Sequence, residues 1–367
     1  MAERVLSLRE INRAMLSRQL LLERATLSAT AAVEKLVGMQ AQLSSAPFVG
    51  LWTRLKGFQR SDLADAIEKH ELIKVTLMRA TLHLVSAADY LHFRTTFNPV
   101  LEGAAESITK KRTPIDKERV LKVAHEFIAE KPRTFAEISA MLSAEMPDSD
   151  VGAMRYTVRT HIPMVQVPIS SGWSYPGTPA FTLANVWLGK PIPEHEHLQE
   201  LVLRYLAAFG PATIADIQTW SYLSLPTLKE AIESLRPQLT VYRDEKKKEL
   251  FDVAGESVPE GDVPAPVRFL PEFDNILLSH KVRTRIVADE HRKKVYLPAL
   301  RVAATILVDG FVGGVWKVEK VKGVATLSIE PLVPLTKALR TEMETEAEPL
   351  VRFVEPDAKG YAVKWVE

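Results

Sequence analysis

The sequence predicts an α+β protein: tandem helix–turn–helix units, each closed by a β-hairpin, followed by a C-terminal β-rich subdomain. The first observation is an internal repeat. Lys131-Pro-Arg-Thr-Phe-Ala-Glu-Ile-Ser139 reads like Gly210-Pro-Ala-Thr-Ile-Ala-Asp-Ile-Gln218. Pro132 matches Pro211, and Thr134 and Thr213 each have an acid three residues on (Glu137, Asp216), the form of a capping box. The second is that the surroundings repeat as well. An apolar helical run precedes each copy (120–129 and 198–209) and a second helix follows (150–160 and 226–235). Each set ends in an extended hairpin, 165–167 with 181–183 and 239–243 with 249–253. The third is Asp309-Gly310 between two alternating apolar runs, a type I′ hairpin signal. Three helices and a hairpin within about 75 residues is the plan of a winged helix.

The remaining elements follow in chain order. Residues 30–40 place Val33, Leu36, Val37 and Gln40 at helical spacing. Pro47 opens another helix through Val49 and Trp52 to Leu55, and Ser61 caps a third over 62–69. Residues 73–78 and 81–85 alternate like a hairpin, after which Ser86, with Asp89 three residues on, caps the next helix. This makes residues 1–110 a looser first winged-helix unit, ahead of units at 111–190 and 191–260. In the C-terminal subdomain, 261–367, strands 305–308 and 311–316 lead through a turn at 320–323 into 324–329, a small meander of barrel-like character. Residues 334–354 read as a terminal helix carrying Glu342, Glu344, Glu346 and Glu348.

Composition narrows the chemistry. The 367 residues are 46% hydrophobic and 25% charged, a globular balance. There is no cysteine, which excludes disulfides, zinc–thiolate sites, iron–sulfur clusters and a thiol nucleophile, and fits a reducing, cytoplasmic setting. The first 25 residues are studded with charge and hold no apolar stretch long enough for a signal peptide. The longest uncharged stretch, 160–189, contains four prolines, so no membrane span is expected. Net charge is +1, but the charge is uneven: residues 1–100 carry 13 Lys+Arg against 9 Asp+Glu. Arg155 and Arg159 border the acid-free stretch, and 280–294 gathers six cations against two acids. Local basic patches on a neutral body suit phosphate contact, although solvated loops read the same way.

No P-loop, Rossmann fingerprint, nucleophile elbow or His-Glu-x-x-His helix is present, and no cofactor is implied. His195-Glu-His197 is the one close histidine pair; after Pro191 and Pro193 it reads as a solvated helix start, so no metal site is assigned. His125 reads as a core histidine, and Glu272 with Asp274 as adjacent loop acids that could also serve as an acid/base pair.

Several segments, in this order and spacing, carry a family resemblance. They are Gly38-Met-Gln40-Ala-Gln42, the run from Met78-Arg-Ala-Thr-Leu-His83 to Tyr90, Gly210-Pro-Ala-Thr-Ile-Ala-Asp216 with Trp220, Leu270-Pro-Glu-Phe-Asp-Asn275, and Ile306-Leu-Val-Asp-Gly310. Over most of its length the chain resembles the bacterial AlkZ/YcaQ-like DNA glycosylases, winged-helix proteins that excise alkylated bases or unhook crosslinks. In that family a Gln-x-Gln motif is held to be catalytic, with Gln-x-Asp in the YcaQ-like branch. Gln40-Ala41-Gln42 matches the AlkZ-type form. By themselves, two glutamines at the end of a helical run are ordinary capping or surface residues; the resemblance makes Gln40 and Gln42 the catalytic candidates.

The chemistry fits a particular substrate. A carboxamide does not titrate near neutral pH and is no strong base. A cationic N7-alkylated purine, however, leaves as a neutral base without prior protonation. An amide then needs only to orient water and face the developing charge on the sugar. The expectation is therefore a monofunctional glycosylase acting on double-stranded DNA with alkylated purines, extending to interstrand crosslinks. It would work as a monomer with neither cofactor nor membrane. The resemblance also places Arg79 and His83, at even spacing on one strand-like segment, near the DNA channel. Lys281, Arg283 and Arg285 alternate in the same way and would set three cations on one face, joining Arg155 and Arg159 as DNA contacts. Trp173 and Tyr175 in the second wing read as packing residues, with a DNA wedge as the other possibility. The rival function is a non-catalytic winged-helix DNA-binding protein or transcriptional regulator, for which a symmetric dimer would be usual.

Overall fold

A computed structural model describes residues 4–110, 112–170 and 172–366. It is a mixed α and β protein whose expected helices and hairpins form largely from local signals. Thr134 and Thr213 close capping boxes with Glu137 and Asp216 at the starts of helices Phe135–Glu145 and Ile214–Ser221. Helices Lys117–Glu130 and Leu198–Phe209 precede them, and Val151–His161 and Leu225–Leu235 follow, capped by Asp150 and Ser224. The hairpins are Met164–Gln166 with Ala180–Leu183 and Leu239–Asp244 with Glu249–Val253. Near the N-terminus, helix Arg60–Glu68 is capped by Gln59 with Asp62 rather than by Ser61.

The helix expected over residues 30–40 is shorter. Helix Ala29–Lys35 ends in a turn where Val37 (φ 54°) and Gly38 (φ 83°) are both left-handed and the Gly38 amide donates to Val33 O at 2.9 Å. A side chain at Gly38 would meet Val85 Cγ1 at 2.8 Å, so this position needs glycine. The chain leaves the turn as strand Met39–Gln40, which places Gln40 in a sheet and not at a helix end.

That sheet has six strands, in the order Met39–Gln40, Leu82–Ser86, Leu72–Thr76, Met164–Gln166, Ala180–Leu183, Arg133–Thr134. A single pairing, Val75↔Val165, joins the first hairpin to the second. The third hairpin lies in a separate sheet, where Val5–Leu6 adds in parallel to Leu239–Asp244. The C-terminal sheet runs Arg268–Leu270, Thr305–Val308, Phe311–Val321, Val324–Pro331, Gly360–Trp365. Asp309 (φ 45°) and Gly310 (φ 82°) make the expected hairpin turn. Helix Lys337–Val354 is not terminal: it crosses over to Gly360–Trp365, which pairs in parallel with Val324–Pro331. Its buried Met343, Ala347, Leu350 and Val351 pack with Phe269, Leu327 and Ile329.

Helix Leu8–Arg18 binds the parts together. Arg18 makes a buried bidentate pair with Asp252 (2.6 and 2.8 Å), and Asn12 Nδ2 donates to Arg285 O and Gly310 O, both at 2.8 Å. Gln19, just beyond the helix, donates to Ala208 O at 2.8 Å. His125 lies exposed on helix Lys117–Glu130, so it is not a core residue; its position on the 3.6-residue repeat faces away from buried Val120, Ala124 and Ile128.

Candidate active site

The site is built on the first two strands of the six-stranded sheet. Gln40 pairs with His83 across the ladder. Its backbone N–H donates to Asn275 Oδ1 (3.2 Å), while Asn275 Nδ2 donates to Gly38 O (2.6 Å), so Asn275 clamps both sides of Met39. Asn275 is held by its neighbour Asp274, which forms a buried bidentate pair with Arg54 (both bonds 2.9 Å). Arg54 also donates to Gln19 O at 3.0 Å.

Arg79 lies in the tight turn Met78–Ala80 with φ 55°, off the regular strand, and this geometry brings it back over Gln40. Its guanidinium donates to Gln40 Oε1 (2.6 Å), to Trp220 O (2.6 Å) and to His83 Nε2 (3.3 Å). Because guanidinium has only donors, the Gln40 amide is fixed with its carbonyl toward Arg79. Burial lowers the Arg79 pKa to about 10, with the Arg283 charge adding to the shift and Tyr222 opposing it. His83 is 1% exposed; burial and the Arg79 charge lower its pKa to about 3, so the ring is neutral. The Thr81 carbonyl, 3.1 Å away, must receive the Nδ1 proton, which leaves Nε2 as acceptor for Arg79. Gln42 is exposed, and its Oε1 accepts the Leu82 N–H at 2.8 Å. Each glutamine carbonyl therefore takes one donor and keeps a second lone pair.

No carboxylate is hydrogen-bonded to Gln40, Gln42, Arg79 or His83 among the described residues. Glu272 lines a small cavity of about 10 Å³ together with Gln40 and Asn275, roughly the room of one water. Burial raises its pKa above the ordinary carboxylate value.

Beyond Trp220 the surface opens. Tyr222, at the left-handed end of helix Ile214–Ser221, is 61% exposed. It lines a concavity of about 560 Å³ with Gln218, Thr219, Lys281, Arg283 and Arg292, a wall with three cations and no acid. The trio expected to share one face is split. Residues Arg283–Arg285 form a 3-10 turn, not a strand, so their side chains fan out instead of alternating. Lys281 is exposed, and Arg283 is half-buried and donates to Leu277 O. Arg285 is 5% exposed, donates to Pro211 O (3.1 Å) and lies 3.4 Å from Asp216. Arg155 and Arg159 stand apart on helix Val151–His161. Arg155 is exposed, while Arg159 is half-buried and its pKa is lowered by that burial. Trp173 packs edge-on against Phe48 (5.3 Å) with the Arg60 guanidinium over its own ring (3.6 Å), and Tyr175 is buried beside Lys74; both are packing residues here. Sequence reading missed Asn275 and Tyr222 as site residues; the one signal for Asn275 was its place in a resemblance segment.

A neutral amide and imidazole gathered by one guanidinium, beside a cationic concavity, suit an enzyme that works on a polyanion. The model of the family described as DNA glycosylase AlkZ-like matches residues 33–353, and the chain belongs to that family of N-glycosyl hydrolases. A Streptomyces sahachiroi protein described as an interstrand DNA cross-link repair glycosylase is similar, 26% identical over 326 residues, covering 83% of this chain and 85% of that protein. The solved structure of the Streptomyces sahachiroi DNA glycosylase AlkZ shares the fold, with a TM-score of 0.78 over 99% of this chain and 100% of that one at 22% identity. No helix among the described residues is long and apolar enough to cross a membrane.

Proposed function

We propose that this protein is a monofunctional DNA glycosylase that releases cationic N7-alkylated purines and unhooks interstrand crosslinks of the same chemistry. It acts as a cytoplasmic monomer on double-stranded DNA. The observation that carries the reading is the Gln40 cluster: a buried amide oriented by Arg79 and a neutral His83, with no carboxylate bonded to it. Among the described residues no acid is hydrogen-bonded within that cluster, and a cationic purine needs none; Glu272 shares a one-water cavity with Gln40 but bonds to none of its members.

In the reaction, water oxygen forms a bond to C1′ while the bond from C1′ to the purine nitrogen breaks. The electron pair of that bond goes to the purine and cancels its charge, and one water proton passes to solvent. Gln40, through its amide NH2 and its second carbonyl lone pair, orients the water; Gln42, exposed two residues beyond the strand, presents its amide to the sugar. The three segments of helices and hairpin act as winged helices. Lys281, Arg283 and Arg292 take backbone phosphates, and Tyr222 offers an apolar face between them. Arg155 adds an outlying phosphate contact.

Base release tests this. Duplexes carrying N7-methylguanine or a nitrogen-mustard crosslink are incubated with wild type, Gln40→Ala and Gln42→Ala and scored for alkali-labile sites. Sites that form with wild type and collapse in variants that still bind DNA support the reading. DNA binding without release from either lesion overturns it in favour of a regulator.

A further inference from the structure

Away from the Gln40 cluster, the fold gathers a second set of chemistry-bearing side chains. His92 lies on helix Ala87–Phe93, His197 caps helix Leu198–Phe209, and Glu200 sits in that helix's first turn. One donor atom from each lies within 4.8 Å of the other two. His92 Nε2 and Glu200 Oε2 are 2.7 Å apart, and the His92 and His197 rings stack at 3.6 Å between centroids. The His195 ring stands 4.9 Å from that of His197. In the sequence, His195 and His197 look like a solvated helix start; His92, 105 positions earlier than His197, supplies the missing partner only through the fold.

The backbone that presents these groups is already fixed. Thr95 Oγ1 donates to Pro193 O at 2.6 Å, and the His197 N–H donates to Thr96 Oγ1 at 2.9 Å. Exposed Glu194 and Glu196 lie in the same segment and make the local field favourable to cations.

We propose that His92, His197 and Glu200 form a three-donor, zinc-type divalent-cation site joining helix Ala87–Phe93 to helix Leu198–Phe209, its fourth position open to water. Imidazole and carboxylate donors suit zinc, whereas magnesium and calcium prefer oxygen alone. Tetrahedral zinc at about 2.0–2.1 Å sets its donors about 3.3 Å apart, so the longest separation contracts by at most about 1.5 Å and the 2.7 Å His92–Glu200 pair opens by about 0.6 Å. Two rings on one ion aim nitrogens at it and do not share faces, so loading turns one of the stacked rings about its side-chain torsions. Both rings are partly exposed and can turn without disturbing the core. The ion would replace the His92–Glu200 hydrogen bond and staple the segment that leads into the third helical set. None of these side chains is hydrogen-bonded to the Gln40 cluster, so the staple acts on stability and not on the chemistry.

The test uses the full chain without a histidine tag, titrated with zinc chloride by calorimetry at pH 7.5. The expected result is one zinc per chain, a zinc-dependent rise in melting temperature, and affinity at least about tenfold weaker in His92→Ala and in His197→Ala. Cobalt(II) should give the intense visible bands of a tetrahedral site in wild type, and these should vanish in the same variants. Metal-free melting curves check that the variants fold; His92→Gln, which keeps a polar side chain, replaces any that does not. Absence of saturable binding, or binding that survives loss of both His92 and His197, overturns the proposal.

Discussion

Asn275 offers the sharpest test of how the site is held. Asn275→Ala removes the acceptor for the Gln40 N–H (3.2 Å) and the donor to Gly38 O (2.6 Å), both buried where strand Met39–Gln40 begins. Each backbone group left without a partner costs about 1–3 kcal/mol, so the variant should lose about 2–6 kcal/mol of stability. For a chain of this size that is a fall in melting temperature of roughly 3–8 °C. Catalysis should suffer separately. Releasing the clamp lets Gln40 drift relative to Arg79, and a shift of about 1 Å in a positioning group costs on the order of 10²-fold in rate. No cation is removed, so DNA affinity and its salt dependence should stay as in wild type. The assay is single-turnover release of N7-methylguanine with saturating enzyme, at a temperature where circular dichroism shows the variant folded. Asn275→Asp should be worse than Asn275→Ala, because a carboxylate oxygen would then face the Gly38 carbonyl. A folded Asn275→Ala that releases base at the wild-type rate would refute the view that this clamp positions Gln40.

Arg79→Met should cut single-turnover release by about 10²-fold, and Arg79→Lys should not restore it, because an ammonium cannot span Gln40 Oε1 and Trp220 O as the guanidinium fork does. Lys281→Ala and Arg283→Ala should each lower the slope of log affinity against log salt by about 1, measured by fluorescence anisotropy. Arg285→Ala should leave that slope alone and instead destabilise the fold by about 3–5 kcal/mol in denaturant titration, since it strands buried Asp216. Lys74 is 3% exposed and burial lowers its pKa from 10.5 to about 8. A base with a depressed folded pKa burdens the fold below about pH 8 and ceases to do so above about pH 10.5. Lys74→Met should therefore be more stable than wild type by up to about 3 kcal/mol at pH 7, with the gain fading toward pH 10.5. Glu272 is an acid with a raised folded pKa, so wild type loses stability as pH rises through that value; Glu272→Gln should match wild type in acid and exceed it above neutral pH in chemical denaturation.

What the sequence made legible was local. The capping boxes at Thr134 and Thr213, the hairpins, and the Asp309-Gly310 turn all rest on residues within a few positions of one another, and each forms as expected. What it hid was set by distant partners. Gln40 fits a helical spacing, yet the Val37-Gly38 turn and the ladder to Leu82–Ser86 make it a strand residue. Its clamp, Asn275, lies 235 residues away. Arg285 looks like one member of an alternating cationic row until the fold brings Asp216 against it. Arg79 and His83 do meet, but the positive-φ turn at Arg79 accomplishes this, not the strand alternation that suggested it.

A permanent cation beside Gln40 bears on which bases the proposed chemistry can release. Two unit charges 5 Å apart at an effective dielectric of about 20 repel by about 3 kcal/mol, enough to matter if the reaction created positive charge near Arg79. With a neutral purine, bond cleavage separates an oxocarbenium from an anionic base, and a group must neutralise that base; no acid among the described residues is hydrogen-bonded within the cluster, and Glu272 reaches it only across a one-water cavity. With an N7-alkylated purine, cleavage creates no new charge. The positive charge already on the base moves to the sugar, so Arg79 enters only through the difference between its distances to the two. The guanidinium also repels the cationic base in the ground state, and that repulsion is relieved as the base departs neutral. Its charge can thus orient the Gln40 amide without a matching penalty in the transition state, an arrangement better suited to a leaving group charged beforehand than to one that must first be protonated.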